Sequence, residues 1–330
     1  VLVLGIETSC DDTSVALVLD GREVLSNVFA SQVAVHQPFG GVVPELASRS
    51  HLEALPGTLD EALRQANRTL ADVDGVCVTY GPGLVASLLV GVMAAKGLAA
   101  GLGRPFLGVN HLQAHLAACF LADPELTPPF LGLIVSGGHT ALVRFDDVDA
   151  IRLLGQTRDD AAGEVLDKVG RLMGLPFPAG RYIEESAARG EASRVRLPRA
   201  YMGQELAFSF SGLKTAASLA VRDGSHRVED LCASLETSII DVLARKSEQA
   251  LRQTGLPVLC VAGGVAANGP LRARLADVAA SCGARLVVPP VVYCTDNGAM
   301  VGCLGGRRLM RGAVSPLSLS AAPSLAIEEN

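Results

Sequence analysis

The chain has 330 residues, a formal net charge of −6, 49% hydrophobic residues and a mean hydropathy of +0.35. That length accommodates two domains or two lobes with a large core. No apolar run is expected to reach the roughly 18–20 residues of a membrane span, and the acidic balance excludes nucleic-acid binding except through a local basic patch or a partner's surface.

Val1–Ile6 reads as a first β-strand. It is too short, and too soon followed by Glu7 and Asp11, for a secretory signal, so a soluble cytoplasmic protein is expected. Thr13–Asp20 reads as a second strand, and the intervening Glu-Thr-Ser-Cys-Asp-Asp makes the pair a hairpin. Its tight turn gathers hydroxyls, backbone N–H groups and carboxylates at one spot. Helical periodicity follows at 52–66, 84–100 and 111–121, with strands at 75–79 and 106–109 between them. This alternation predicts an α/β layer structure. The Pro-rich stretch at 123–129 is the clearest break.

After the break the opening pattern recurs. Phe130–Val135 reads as a strand, Ser136-Gly137-Gly138-His139 as a turn and Thr140–Phe145 as a returning strand. A weak repeat of this kind predicts two lobes of like topology, each presenting a phosphate-sized turn toward a shared cleft. Residues 161–173 read as a helix; Val258–Val261 reads as a strand leading through Ala262-Gly263-Gly264 to a helix at Pro270–Ala280. Any one such turn is ordinary hairpin or βα-loop chemistry; three in this order favour a nucleotide cleft. The basic stretches 189–200 and Arg307, Arg308, Arg311 read as solvated faces, and the tail from Ala321 is expected to be poorly ordered. The eight cysteines are scattered without a C-x-x-C pair and read mostly as small buried hydrophobes.

His111 and His115 carry the sharpest chemistry. Four-residue spacing places two imidazoles on one helix face, where they can share a metal ion or stand as buried, hydrogen-bonded histidines. A zinc protease of the H-E-x-x-H type is discounted, because Leu112 stands where its glutamate base would be. Asp296, ahead of an apolar run, reads on its own as a helix N-cap. Asp11 and Asp12 follow the first turn as caps or as an acid–base group.

Nine segments, in order along nearly the whole chain, carry a resemblance. They are Gly5-Ile6-Glu7-Thr8-Ser9-Cys10-Asp11-Asp12-Thr13, residues 40–49 (Gly-Gly-Val-Val-Pro-Glu-Leu-Ala-Ser-Arg), Gly81-Pro82-Gly83-Leu84, residues 111–115, and Val135-Ser136-Gly137-Gly138-His139-Thr140. Then come residues 159–164 (Asp-Asp-Ala-Ala-Gly-Glu), residues 208–215 (Phe-Ser-Phe-Ser-Gly-Leu-Lys-Thr), residues 262–268 (Ala-Gly-Gly-Val-Ala-Ala-Asn) and Thr295-Asp296-Asn297-Gly298-Ala299-Met300. Together they resemble the bacterial tRNA N6-adenosine threonylcarbamoyltransferase (TsaD) family, within the actin/hexokinase/Hsp70-like ATPase class.

The resemblance implies a two-lobed actin-like ATPase fold, each lobe a ribonuclease-H-like mixed sheet flanked by helices, with the active site in the interlobe cleft. Residues 1–125 and 296–330 would form one lobe and 126–295 the other. It implies transfer of a threonylcarbamoyl group from threonylcarbamoyl-AMP to N6 of the adenosine immediately 3′ of the anticodon, position 37, in tRNAs reading codons that begin with A. It implies one Fe²⁺ or Zn²⁺ ion per subunit on His111, His115 and Asp296, with substrate contacts from Ile134, Val135, Ser136, Gly137, Gly138, Asp167, Gly180, Glu184 and Asn268. The partners implied are tRNA, a TsaB-like inactive paralogue, a TsaE-like P-loop ATPase and a TsaC-like synthase supplying the donor. Asp11 is the candidate to orient the donor or take the amine proton. One departure stands out: Pro178-Ala179-Gly180-Arg181 replaces a Pro-Gly-Gly-Pro loop, so loop geometry at Ala179 and an added charge at Arg181 are at issue. A small-molecule kinase of the same fold class is the alternative, and it gives His111 and His115 no role; an inert scaffold would have no need of all three ligands.

Overall fold

In the computed structural model of residues 1–330, the opening apolar run forms β1 (Leu2–Glu7) and returns as β2 (Asp12–Leu19), antiparallel, with Ile6 opposite Val15. A third strand, β3 (Glu23–Ser31), continues the meander. Then follow α1 (Val33–His36), α2 (Pro44–Ala66), β4 (Gly75–Gly81), α3 (Val85–Leu102), β5 (Phe106–Asn110), α4 (His111–Ala117) and α5 (Cys119–Ala122). The sheet order is β3-β2-β1-β4-β5, with β4 parallel to β1 and β5 parallel to β4.

The second sheet repeats this arrangement. Its strands are β6 (Phe130–Val135), β7 (Thr140–Asp147), β8 (Ala150–Gln156), β9 (Val258–Ala262) and β10 (Arg285–Val287), in the order β10-β9-β6-β7-β8. Each sheet is therefore an antiparallel meander of three strands extended by two parallel ones. Helices α6 (Ala162–Leu172), α7 (Gly180–Ala187), α8 (Ser211–Asp223), α9 (Val228–Thr254) and α10 (Gly269–Ser281) accompany the second sheet, and α11 (Gly298–Leu309) returns to the first. The chain divides into two units: Val1–Thr127, Asp146–Ile151 and Pro289–Asn330 form one, and Pro128–Phe145 with Arg152–Val288 form the other. The sequence had placed Asp146–Ile151 and residues 289–295 with the second lobe.

β1 is buried along its whole length, so both of its faces are lined by the protein's own layers. Leu4 and Ile6 pack with Val15, Val76, Val78 and Val92 on the side of α2 and α3. On the opposite face, which period-two alternation assigns to Gly5, α11 lies against the strand. A Cβ at Gly5 would strike the Gly298 carbonyl oxygen and come within 2.6 Å of the Gly302 nitrogen. The absence of a side chain there lets the helix backbone touch the strand backbone.

Several sequence expectations need correction. Helix α2 begins at Pro44, well before residue 52, because proline is preorganised for the first helical position and Glu45 suits the N-terminal dipole. Helix α3 is 18 residues long with a mean hydropathy of 1.8, long and apolar enough to cross a membrane, although no such run was expected. One side of it, Leu88, Val92, Ala95 and Ala99, is buried. The tail is tied down. Ala322 N donates to Tyr80 O at 2.7 Å, Ile327 is buried, and the Asn110 and Gln113 side-chain amides donate to carbonyls of residues 326–329. Arg308 is 3% exposed and donates to Val148 O and Gln113 Oε1, while Arg307 lies 4.0 Å above the Phe120 ring, so that arginine cluster is largely internal structure. In the 189–200 stretch Arg194 pairs with Glu191 and Arg199 with Asp241.

The backbone contact at Gly5 yields a prediction. Gly5→Ala overpacks the β1–α11 contact and should cost about 1–3 kcal/mol, read as a lower urea midpoint at unchanged slope. An unchanged midpoint would mean that the contact has slack.

Candidate functional site

The first unit brings His111, His115 and Asp296 together. His111 is the residue after β5, and α4 starts there because the Asn110 side chain caps it, accepting from Leu112 N at 3.0 Å. Asn110 is itself held by the tail, so the helix start is fixed from both sides. His115 lies one turn on; the two rings meet edge to face with centroids 4.6 Å apart. Asp296 was weighed as an N-cap, but the cap of α11 is its neighbour Asn297, which accepts from Met300 N at 2.9 Å. Capping by Asn297 leaves the Asp296 carboxylate to face the imidazoles. Its Oδ1 is 3.1 Å from His115 Nε2 and 3.6 Å from His111 Nε2.

The donor set fits a metal ion. Two imidazole nitrogens and one carboxylate oxygen lie within 4.8 Å of one another. Donors about 2.0–2.1 Å from a tetrahedral ion sit about 3.3 Å apart, and the observed 3.1 and 3.6 Å bracket that spacing. Three protein ligands also leave positions open, as in catalytic rather than structural sites.

Glu7, at the end of β1, supports the site and was not assigned a role from sequence. Its carboxylate is fully buried and accepts from Ser9 N at 2.6 Å, Thr79 Oγ1 at 2.6 Å and His111 Nδ1 at 3.1 Å. The Ser9 hydroxyl lies 3.2 Å from the same His111 nitrogen. With Nδ1–H directed at Glu7, His111 turns Nε2 toward Asp296, the orientation a ligand requires. His115 has no such outer partner; its Nδ1 is buried without a hydrogen bond. Burial alone would lower the His111 pKa, but the Asp296 and Glu7 carboxylates outweigh it and raise the imidazole to about 9. Burial likewise works against ionisation of Glu7, yet the His111 charge and hydrogen bond carry its pKa below the usual carboxylate range.

The adjoining turn is acidic. Burial raises the pKa of Asp11, opposed by a hydrogen bond from the Cys10 thiol and reinforced by Asp296. Asp12 is raised further, to about 7, by burial and then by Asp11 and Asp296, and its Oδ1 is buried without a partner. Buried carboxylates with raised pKa values concentrate at functional sites.

In the second unit the expected substrate residues fall in two groups. Ile134 and Val135 are buried at the end of β6, and Ser136–Gly138 form an exposed turn closed by Ser136 N donating to His139 O at 2.8 Å. The start of α6 abuts this turn: a Cβ at Gly163 would lie 2.6 Å from Ser136 O. Gly263, at φ +96°, presses on the Val135 carbonyl, a conformation and an approach that both require glycine.

Gly180 and Asn268 form the second group and line one cavity with Leu166, Ile183, Val265 and Glu236. Asn268 caps α10 through Oδ1, 2.8 Å from Leu271 N, and donates through Nδ2 to Glu236 Oε1 at 2.7 Å. Glu236, raised in pKa by burial, was missed because a lone acid in a long amphipathic helix reads as solvated surface. Asp167 accepts from Ala179 N at 2.7 Å and Glu184 from Gly269 N at 3.0 Å, so both brace the cavity walls. Ala179 has an ordinary φ of −83° and packs on Gly170, so the substituted loop is unstrained; Arg181 is exposed and paired with Glu185 at 2.6 Å. Lys214 pairs with both oxygens of Asp160 at 2.6 Å.

The metal reading makes a pH-dependent prediction. Without metal, His111 holds a proton below about pH 9. Coordination through Nε2 must expel it, so metal uptake should release about one proton per site at pH 7 and almost none at pH 10. Isothermal titration of zinc or iron(II) in buffers of different ionisation enthalpy measures this; no released proton at pH 7 would place the ion elsewhere.

Comparison with known proteins bears directly on this geometry. The family model TsaD, tRNA N6-adenosine threonylcarbamoyltransferase, matches residues 23–303. The chain is 47% identical to the tRNA N6-adenosine threonylcarbamoyltransferase of Thermotoga neapolitana, covering 98% of this chain and 99% of the relative. It is 48% identical to that of Desulfitobacterium hafniense, covering 98% and 96%. At the level of fold alone it resembles HypF of T. kodakarensis, with a TM-score of 0.65 at 14% identity over 94% of this chain and 48% of that one. It also resembles component A of the Acidaminococcus fermentans (R)-2-hydroxyglutaryl-CoA dehydratase, with a TM-score of 0.56 at 14% identity over 94% and 99%. These two likenesses extend along nearly the whole chain and concern the fold alone. Matched along almost its full length, and with its histidine pair and Asp296 gathered at one point, the chain belongs to the tRNA N6-adenosine threonylcarbamoyltransferase family and forms N6-threonylcarbamoyladenosine in tRNA.

Proposed function

We propose that the donor is threonylcarbamoyl-AMP, that the acceptor is the adenosine at position 37, immediately 3′ of the anticodon in tRNAs reading codons that begin with A, and that the transfer is metal-assisted. The cluster of His111, His115 and Asp296, oriented by the buried Glu7, supports this reading most strongly. The ion would be Fe²⁺ or Zn²⁺, for which imidazole and carboxylate donors are suited.

The chemistry follows from the reactants. The adenine amine is a weak nucleophile because its lone pair is delocalised into the ring, so the acyl group must arrive activated. In the mixed anhydride, N6 forms a bond to the carbamoyl carbon, the bond from that carbon to the phosphate oxygen breaks, and AMP leaves with the electron pair. A metal held by the three ligands would supply Lewis-acid polarisation of the carbamoyl or phosphate oxygen. Asp11 takes the proton that N6 loses; burial raises its basicity, which suits a general base. In the second unit, the exposed Ser136–Gly138 turn offers backbone N–H groups to the adenylate phosphate, and Gly180, Glu184 and Asn268, with Asp167 behind them, are assigned to the nucleoside. The anticodon-loop base is already single-stranded, so presenting it costs little unpairing energy.

An acidic chain requires help with a polyanionic substrate. A TsaB-like inactive paralogue and a TsaE-like P-loop ATPase would supply basic surface and turnover, and a TsaC-like synthase the donor, all in the cytoplasm with the tRNA. The exposed stripe Val85, Leu89 and Met93 along α3 suits the paralogue's contact.

Nucleoside mass spectrometry of unmodified tRNA incubated with threonylcarbamoyl-AMP, the chain and these partners tests the proposal. Product is expected with the wild type. His111→Ala should lose more than the roughly 10–100-fold that removal of an outer-shell partner costs. No product from either, with ATP consumed on a small molecule, would favour the kinase alternative.

A further inference from the structure

Behind the Cys10–Asp12 turn runs a second polar chain that the transfer scheme leaves unused. Thr13, Gln32, His36 and His51 are all buried. Backbone groups at its ends and middle determine every direction in it. Val43 N–H can only donate, and it meets His36 Nδ1 at 3.3 Å, so neutral His36 carries its proton on Nε2. That proton points at Gln32 Oε1, 3.1 Å away. The Ala47 carbonyl can only accept and lies 3.3 Å from Gln32 Nε2, which independently assigns the two ends of the amide. The same Nε2 donates to His51 Nδ1 at 3.2 Å, and the Thr13 hydroxyl donates to it at 2.7 Å. His51 therefore holds its proton on Nε2, 3.1 Å from the Cys10 carbonyl oxygen.

The result is a one-way chain from Val43 through His36, Gln32 and His51 to Cys10. Protonating His36 would set donor against Val43 N–H; protonating His51 would set donor against Gln32 and Thr13. Burial lowers the His51 pKa below its usual value, opposed by the Cys10 carbonyl and Glu7 and aided by His36. The end point gives the chain its meaning. The Cys10 carbonyl and the Asp11 N–H belong to one rigid peptide plane, so holding the oxygen orients the unit that carries Asp11. A fully satisfied buried network of this kind rigidifies the groups at its end.

We propose that the His36–Gln32–His51 chain is a positioning device for Asp11: by pinning the Cys10–Asp11 peptide it aims the Asp11 carboxylate at the transferring group. The proposal rests on the reading of Asp11 as the base. His51 acts through Asp11 and does not touch substrate.

A double-mutant cycle tests it, using the full chain with its partners and tRNA. His51→Phe is expected to lower kcat by about 10–100-fold, the scale of a misaimed reacting group, with little change in the KM for tRNA or in metal content. His51→Gln, whose amide can still donate toward the Cys10 carbonyl, should recover most of that loss. In an Asp11→Asn background, His51→Phe should change kcat less than about threefold, because coupled residues are not additive. Full multiplication of the two losses would overturn the proposal while leaving Asp11 as the base. Asp11→Asn at the wild-type rate would remove the base assignment and the positioning role together, and absence of product from the wild type would show that the transfer reading itself had failed. Imidazole ¹⁵N NMR keeps the test open if His51→Phe does not fold. His36 and His51 should each carry the single proton of the neutral ring on Nε2, and Gln32→Met should move the His51 resonances and lower kcat. A Nδ1–H tautomer at either position overturns the chain.

Discussion

The first unit depends on one buried charge. Glu7 lies at the end of a strand covered on both faces, where an ionised carboxylate is tolerable only if its oxygens are satisfied. Its three donors come from three places: the following turn through Ser9, the parallel neighbour β4 through Thr79, and the start of α4 through His111. Meeting that need holds turn, strand and helix in one arrangement. It also settles which imidazole nitrogen is left over. The Glu7–His111 bond is therefore both a packing requirement and the feature that makes His111 a competent ligand.

The third ligand arrives by a different physical route. Asp296 precedes α11, and α11 reaches β1 because Gly5, Gly298 and Gly302 allow backbone to meet backbone. Asn297 takes the capping duty, and Gly298 N is met by Ser14 Oγ at 2.9 Å, so the helix start is anchored to β2. Small residues at one contact and a shifted cap at another place a carboxylate within about one hydrogen-bond length of two imidazoles that lie far from it in sequence. The acidic turn beside them, with Asp12 raised to about 7, adds a local cost that stability alone does not explain.

Much of this was legible in the residues, for identifiable reasons. The hairpins β1–β2 and β6–β7 and their repeat were readable because buried strands are continuous apolar runs broken by polar turns. The edge strands β3 and β8 were not, since their mixed exposure blurs any period, and β10 is only three residues long. The histidine spacing pointed to a helix face, but nothing local distinguished Asp296 from Asn297 as the cap. Glu7 was invisible as a site residue because a lone acid closing an apolar strand carries no spacing signal; its partners come from β4 and α4. The tail reads as loose by composition, and it is ordered by carbonyls that side-chain amides of α4 and its cap happen to meet.

The account stands or falls on Glu7 acting through His111. The most direct measurement is the zinc affinity of Glu7→Gln beside the wild type, by chelator competition, with unfolding monitored in parallel. Glutamine keeps the shape and loses the charge, and it can present an amide N–H to His111. The account predicts metal binding weakened by about 10–100-fold, the usual consequence of losing a ligand's outer partner, in a protein that remains folded. Undiminished affinity would mean that His111 is oriented by packing alone and that the buried carboxylate has no part in the site.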